Sequence, residues 1–221
     1  MPWLLISLIV VLPQERLEYE IKYGPAVLGG MTLERLSPES LAGEECQHLR
    51  AEVEINQSLS WLFWARYRFE SWCSVRDMVT RRSEKWVREK NYQAEWSAVF
   101  DQQRRVARYT DGTELPLCDS ARDLLTLWFY LRTIHWAEGE TLVCHSHIDR
   151  CNWQVRLRIS GRQKVRTPMG EFNCLIVSPT AKGPLGTVFI SEDAEHLPVV
   201  IRTRAGALTV SAYLRKIKRK L

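Results

Sequence analysis

The segment Cys144-His145-Ser146-His147-Ile148-Asp149-Arg150-Cys151 crowds chemistry-bearing side chains more closely than any other. Two histidines and two cysteines within eight residues are the nitrogen and thiolate ligands that zinc prefers. Extended geometry separates them, because on a strand His145 and His147 share one face and Cys144 takes the other. A tight turn at Asp149-Arg150 sets Ile148 opposite Cys151, Ser146 opposite Trp153 and Cys144 opposite Val155. The cysteines are then neither opposed to each other nor joined with the histidines. The segment therefore reads as a hairpin carrying two surface or pocket-lining histidines, with no metal site. A mononuclear site of His145, His147 and a distant carboxylate has no support in the sequence.

Other reactive types lead to the same place. The six cysteines, at 46, 73, 118, 144, 151 and 174, are an even number, and they allow fifteen full pairings among which the sequence does not choose. No serine sits in a Gly-x-Ser-x-Gly elbow, and neither a phosphate loop nor a dinucleotide glycine motif occurs. The carboxylates fall on the solvent side of strand alternation. The chain thus reads as non-enzymatic and without a cofactor. Its formal charge of +5 is modest. The basic end Arg215-Lys216-Ile217-Lys218-Arg219-Lys220-Leu221 reads as a solvated tail, with peripheral contact to anionic lipid headgroups as the alternative. It lacks aromatic interleaving and any nucleic-acid fold signature, so no nucleic-acid partner is expected.

The aromatic side chains stand out more. Nine tryptophans, seven tyrosines and six phenylalanines include a row made of Trp61, Trp64, Tyr67, Phe69, Trp72, Trp86, Trp96, Trp128, Trp136 and Trp153. They form either a large filled core or a cleft suited to an acyl chain or another apolar ligand. For the cleft, the candidate ligand-binding residues are Tyr67, Phe69, Trp128 and Trp153.

The elements that must position these rings are mostly strands. From Glu15 onward the dominant period is two. In 16–23 every odd position is apolar and every even one charged, and 26–36 resumes after Gly24-Pro25. Gly29-Gly30 inside that run point to a bulge or a close backbone approach. Leu49, Ala51, Val53 and Ile55 form one inward row, and Tyr67, Phe69, Ser71, Cys73 and Val75 another. Further strands are expected at 79–90, 93–101, 104–110, 139–148, 151–160, 170–178, 186–191, 197–204 and 206–217. One helix, at about 120–134, follows the capping group Asp119-Ser120-Ala121-Arg122-Asp123 and is apolar over most of its circumference, hence buried. Asp123 and Arg132 bracket it and are expected to tie it to neighbouring strand ends.

Two expectations concern the whole chain. The run Pro2–Pro13 is almost wholly apolar and about twelve residues long, short of the ~20 that a spanning helix needs. It reads as a signal-like leader over 1–13, a buried first strand being the alternative. Residues 14–221 read as a single mainly β domain: one curved antiparallel sheet forming a barrel or half-barrel, with the helix as a buried lid.

The order of motifs resembles a bacterial family, the domain-of-unknown-function family 3108. The resemblance rests on Leu17-Glu18-Tyr19-Glu20-Ile21-Lys22-Tyr23-Gly24 with the glycine pair and Thr32-Leu33-Glu34. It continues through Asp123-Leu124-Leu125-Thr126-Leu127-Trp128-Phe129-Tyr130-Leu131-Arg132 and Gly139-Glu140. It ends with Thr167-Pro168-Met169-Gly170-Glu171-Phe172, Ser178-Pro179 and Phe189-Ile190-Ser191-Glu192-Asp193 before Leu197-Pro198-Val199. Such a resemblance implies an exported envelope protein with a curved antiparallel sheet and supplies no catalytic residues. By fold analogy it implies a periplasmic carrier of a lipid-like ligand. The alternative, with the aromatic residues simply a filled core, is an envelope assembly or scaffold factor that acts through protein partners.

Overall fold

A computed structural model describes residues 14–55, 64–181, 183–205 and 208–220. The leader expected at 1–13 lies outside these residues, as does Trp61. In chain order the elements are β1 (Gln14–Tyr23), β2 (Ala26–Arg35), β3 (Glu39–Leu41), β4 (Glu44–Ile55), β5 (Ala65–Ser74), β6 (Thr80–Glu89), β7 (Tyr92–Asp101), β8 (Val106–Tyr109) and β9 (Glu114–Pro116). Then come α1 (Leu124–Leu131), β10 (Thr141–Ile148), β11 (Cys151–Thr167), β12 (Gly170–Pro179), β13 (Thr187–Ser191), β14 (Pro198–Ala205) and β15 (Leu208–Lys220).

The strands form one antiparallel sheet in the order β10-β11-β12-β13-β14-β15-β1-β2-β4-β5-β6-β7-β8-β9, with β3 folded onto β4. Among the described residues, the step from β15 to β1 is the one that joins strands far apart in sequence, and it pairs the first described strand with the last. The backbone of the expected basic tail is therefore a paired strand up to Lys220, while its basic side chains remain exposed to solvent. Its cations meet the acidic positions of β1: Lys218 pairs with Glu18, Arg219 with Glu15 and Arg215 with Glu20.

The period of two directs apolar residues to one face. Leu17, Leu33, Leu49, Leu157, Val199 and Leu214 are fully buried there, in a cluster that also takes Leu125, Leu127, Phe129 and Leu131 of α1. Gly29 allows a tight approach: a Cβ at this position would lie 1.9 Å from the carbonyl oxygen of Glu54. The register shifts beside it, between Ile21 and Lys22, so both features expected of the glycine pair occur.

The sheet does not close. Its end strands β9 and β10 are joined across the gap by the segment 117–123, which acts as a strap. On one side Leu117 donates to the Arg105 carbonyl at 2.8 Å, and the Ala121 carbonyl accepts from the Thr80 N–H at 3.3 Å. On the other, the Arg122 N–H donates to the His145 carbonyl at 3.1 Å and the His147 N–H to the Arg122 carbonyl at 2.9 Å. The strap takes residues that were expected to be helical, so α1 starts only at Leu124.

Both helix ends are anchored as expected. Asp123 caps α1, its Oδ1 accepting from the Thr126 N–H at 2.8 Å, while its Oδ2 accepts from the Ser71 hydroxyl of β5. Thr80 Oγ1 completes the buried group, accepting from the Asp123 N–H at 3.0 Å and donating to Thr126 Oγ1 at 2.9 Å. At the far end the Arg132 guanidinium donates to the Glu15 carboxylate of β1, and both side chains are buried. Burial raises the pKa of Glu15, but Arg132, Arg35 and Arg219 outweigh it and hold the carboxyl below its ordinary value.

Replacing Asp123 with Ala removes the cap and leaves the buried Ser71 hydroxyl without its acceptor, while Thr80 keeps the backbone N–H of residue 123 and Thr126 as partners. The expected loss is about 2–3 kcal/mol of unfolding free energy, measured by urea denaturation. Asp123→Asn, which still caps, should lose less than half of that.

Candidate functional site

The hairpin at Asp149-Arg150 has the expected register, pairing Ile148 with Cys151, Ser146 with Trp153 and Cys144 with Val155. Both turn residues have positive φ, 49° and 65°, the two-residue geometry that matches strand twist but favours Asn-Gly. Keeping non-glycine residues there costs roughly 1–2 kcal/mol each, and both side chains are held by contacts. Asp149 reaches across to Lys85 of β6. Arg150 donates to Asp111 at 2.6 Å and lies 4.4 Å from the ring centre of Tyr109.

These contacts close one side of a cavity of about 820 Å³. The other side is the inner face of β5, β6 and β7, where Tyr67, Phe69, Lys85, Val87, Ala94 and Trp96 line it. Their shared face follows from register, Tyr67 opposite Val87, Phe69 opposite Lys85 and Lys85 opposite Trp96. The Tyr67 and Phe69 rings lie 6.3 Å apart. The Tyr67 hydroxyl donates to Glu89 at 2.6 Å. Burial and that carboxylate push its pKa up, so it remains a phenol.

Of the four expected ligand contacts, Tyr67 and Phe69 thus come together, and the other two lie elsewhere. Trp128 packs half-buried against the main core, with its Nε1 buried and unpartnered. Trp153 is 37% exposed and borders a separate cavity of about 240 Å³ beside Pro184 and Leu185. The aromatic row does not share one face. Trp72 lies an odd number of residues from Phe69, so it points outward, where it stacks on His48 at 4.4 Å and donates to Glu39 of β3 at 2.9 Å. Trp86 is opposite Arg68 on the same outer side. Trp136 donates to the Leu131 carbonyl at the end of α1. Sequence reasoning passed over Lys85, although it occupies the inward row of Ser83 and Val87. Alternation within β6 gave no signal for it, because Arg81, Ser83, Lys85, Val87 and Glu89 share that row and only Val87 is apolar.

A second cavity, of about 720 Å³, is lined largely by outward side chains. Its ions neutralise one another, Arg16 with Glu18 and Glu34 and Arg66 with Glu54. It offers an apolar ligand little.

The two histidines part company. His147 is buried, not a surface residue, because the strap covers it, and it packs edge-on against Phe100 at 5.4 Å. Nδ1 donates to Asn152 Oδ1 at 2.8 Å and Nε2 accepts from the Tyr109 hydroxyl at 2.8 Å, which defines a neutral tautomer. Asn152 continues the seam, accepting from the Cys118 N–H and donating to the Pro116 carbonyl. Among the described residues no three His, Cys, Asp or Glu side chains are grouped to hold a metal. All six cysteines are free, and burial pushes Cys46 and Cys144 up to about 11.

The molecule is thus a β-barrel-like protein: an unclosed antiparallel sheet strapped across its gap, with a cavity at one end. A solved structure of this kind, a beta-barrel-like protein of domain of unknown function DUF1849 from Brucella abortus, aligns over 96% of this chain and 99% of its own with a TM-score of 0.64. Its identity is 10%, so the likeness is one of fold. The model of the family described as Protein of unknown function (DUF3108) matches residues 18–213, and the chain belongs to that family. No curated protein matches.

Burial lowers the pKa of His147, with the Asn152 contact opposing in part. In the unfolded chain it titrates near its ordinary 6.5, so the unfolded state takes up the proton first. The seam's contribution to stability is complete above pH 6.5 and falls away as pH drops through the lowered folded value. Denaturation at pH 7.5 and 5.5 should therefore show a loss that His147→Gln makes shallower. Loss from carboxylates held low, such as Glu15 and Glu70, belongs below their ordinary 4.5.

Proposed function

We propose that this chain is a non-catalytic binding protein of the bacterial cell envelope that holds a lipid-like or other apolar ligand at the mouth of its curved sheet. The observation that carries the reading is the 820 Å³ cavity with Tyr67, Phe69, Val87 and Trp96 on one wall. Its size falls in the range of small-molecule sites, and its rings share the lining with polar side chains, among them Lys85, Glu89, Gln93 and Glu95. The strained hairpin supports the same reading, since left-handed non-glycine residues persist where the surroundings hold them and often border functional sites. Placement in the envelope rests on the leader-like run at 1–13 and is part of the proposal.

The test is extraction and mass spectrometry of protein purified without detergent, followed by uptake of an environment-sensitive apolar dye. A co-purifying apolar molecule is expected. Dye binding should weaken about tenfold when Phe69 and Trp96 are both changed to Ala, as expected from losing two ring contacts of about 0.5–1.5 kcal/mol each. A ligand-free preparation that takes up no dye would remove the reading. It would favour a scaffold factor that engages envelope proteins through its surface.

A further inference from the structure

Lys85 is the feature of the cavity that an apolar pocket does not need. It stands on the inner face between Phe69 and Trp96, its side chain 23% exposed, its Nζ 5.8 Å from the centre of the Phe69 ring. A covered cation requires a counter-charge, and its partner Asp149 is 64% exposed on the hairpin tip. Solvent can take Asp149 back at little cost, whereas Lys85 cannot leave the wall.

Of the other charges that line the cavity, Glu89 accepts from the Tyr67 hydroxyl and Arg150 is held by Asp111 and the Tyr109 ring. Glu95 borders the cavity from the outward row, opposite Trp86, and leaves Lys85 as the inner-row cation. We infer that the cavity selects an amphiphile with an anionic head, a carboxylate on an apolar tail, whose head replaces Asp149 on Lys85 while the tail lies along Phe69, Val87 and Trp96. The inference rests on the binding reading above and adds the ligand's charge to it.

The experiment uses the full chain with a naturally fluorescent polyene fatty acid and its methyl ester, titrated against wild type, Lys85→Met and Asp149→Asn. Wild type should bind the acid more tightly than the ester. Lys85→Met, which keeps an unbranched apolar stem, should weaken the acid about tenfold or more relative to the ester, the effect of one charge-assisted hydrogen bond. Asp149→Asn frees Lys85 and should tighten the acid several-fold. That result has the opposite sign and does not depend on the folding of the lysine variant. Equal binding of acid and ester by all three proteins, or acid binding indifferent to both substitutions, overturns the headgroup inference and leaves an apolar cavity. Binding of neither probe overturns the cavity reading as well.

Discussion

The fold depends on how an unclosed sheet disposes of its two end strands. β9 and β10 do not pair with each other, and unpaired edges expose rows of backbone donors and acceptors. The strap 117–123, which continues the chain from β9, gives β10 a partner and bonds on its other side toward β6 and β8. Its last residue, Asp123, then caps α1 and accepts from Ser71 on the opposite wall. One carboxylate thus joins the strap, the helix and β5. With Arg132 paired to Glu15 at the other end, the helix is held at both ends.

That anchoring defines what is filled and what is not. The helix presents Leu125, Leu127, Phe129 and Leu131 to the main core, and the strands around it are packed to negligible exposure. A helix of eight residues rises only ~12 Å, whereas β5, β6 and β7 have ten residues each and span ~33 Å. The far ends of these strands therefore extend beyond the helix's reach. There Tyr67, Phe69, Val87 and Trp96 are faced by the Asp149-Arg150 hairpin, and the space between remains a cavity.

Features set by short-range pattern were legible in the sequence. The 149–150 register followed from counting across a two-residue turn. The Gly29 approach followed from glycine in a strand, and the roles of Asp123 and Arg132 from their places at the helix ends. The β15–β1 pairing was not legible, because an alternating basic run looks the same whether solvent or a strand faces it. Only the acids at Glu18 and Glu20 on β1 hinted at a partner. The three-residue strands β3 and β9 are too short to show a period. Residues 120–123 of the strap carry helix signals because Asp119 and Ser120 are as apt to cap as Asp123. What decided the matter was a tertiary demand, the need of β10 for a neighbour.

The aromatic residues show how alternation refines a composition argument. Counting rings suggested one lined face, yet the row that put Tyr67 and Phe69 inward also put Trp72 outward, since 69 and 72 differ by an odd number. Outward, Trp72 became a platform for His48 and the β3 clasp, and Trp86 came to stack against Arg88 at 5.2 Å. The rings left inside are fewer than composition implied, but they share the inner wall with a cation. A filled core has no use for such a group, because holding a lysine among rings costs desolvation that leucine or methionine would avoid. Lys85 and its exposed counter-ion therefore separate this end of the sheet from the solid core around α1. They favour an open, selective cavity there over an unfinished extension of the core.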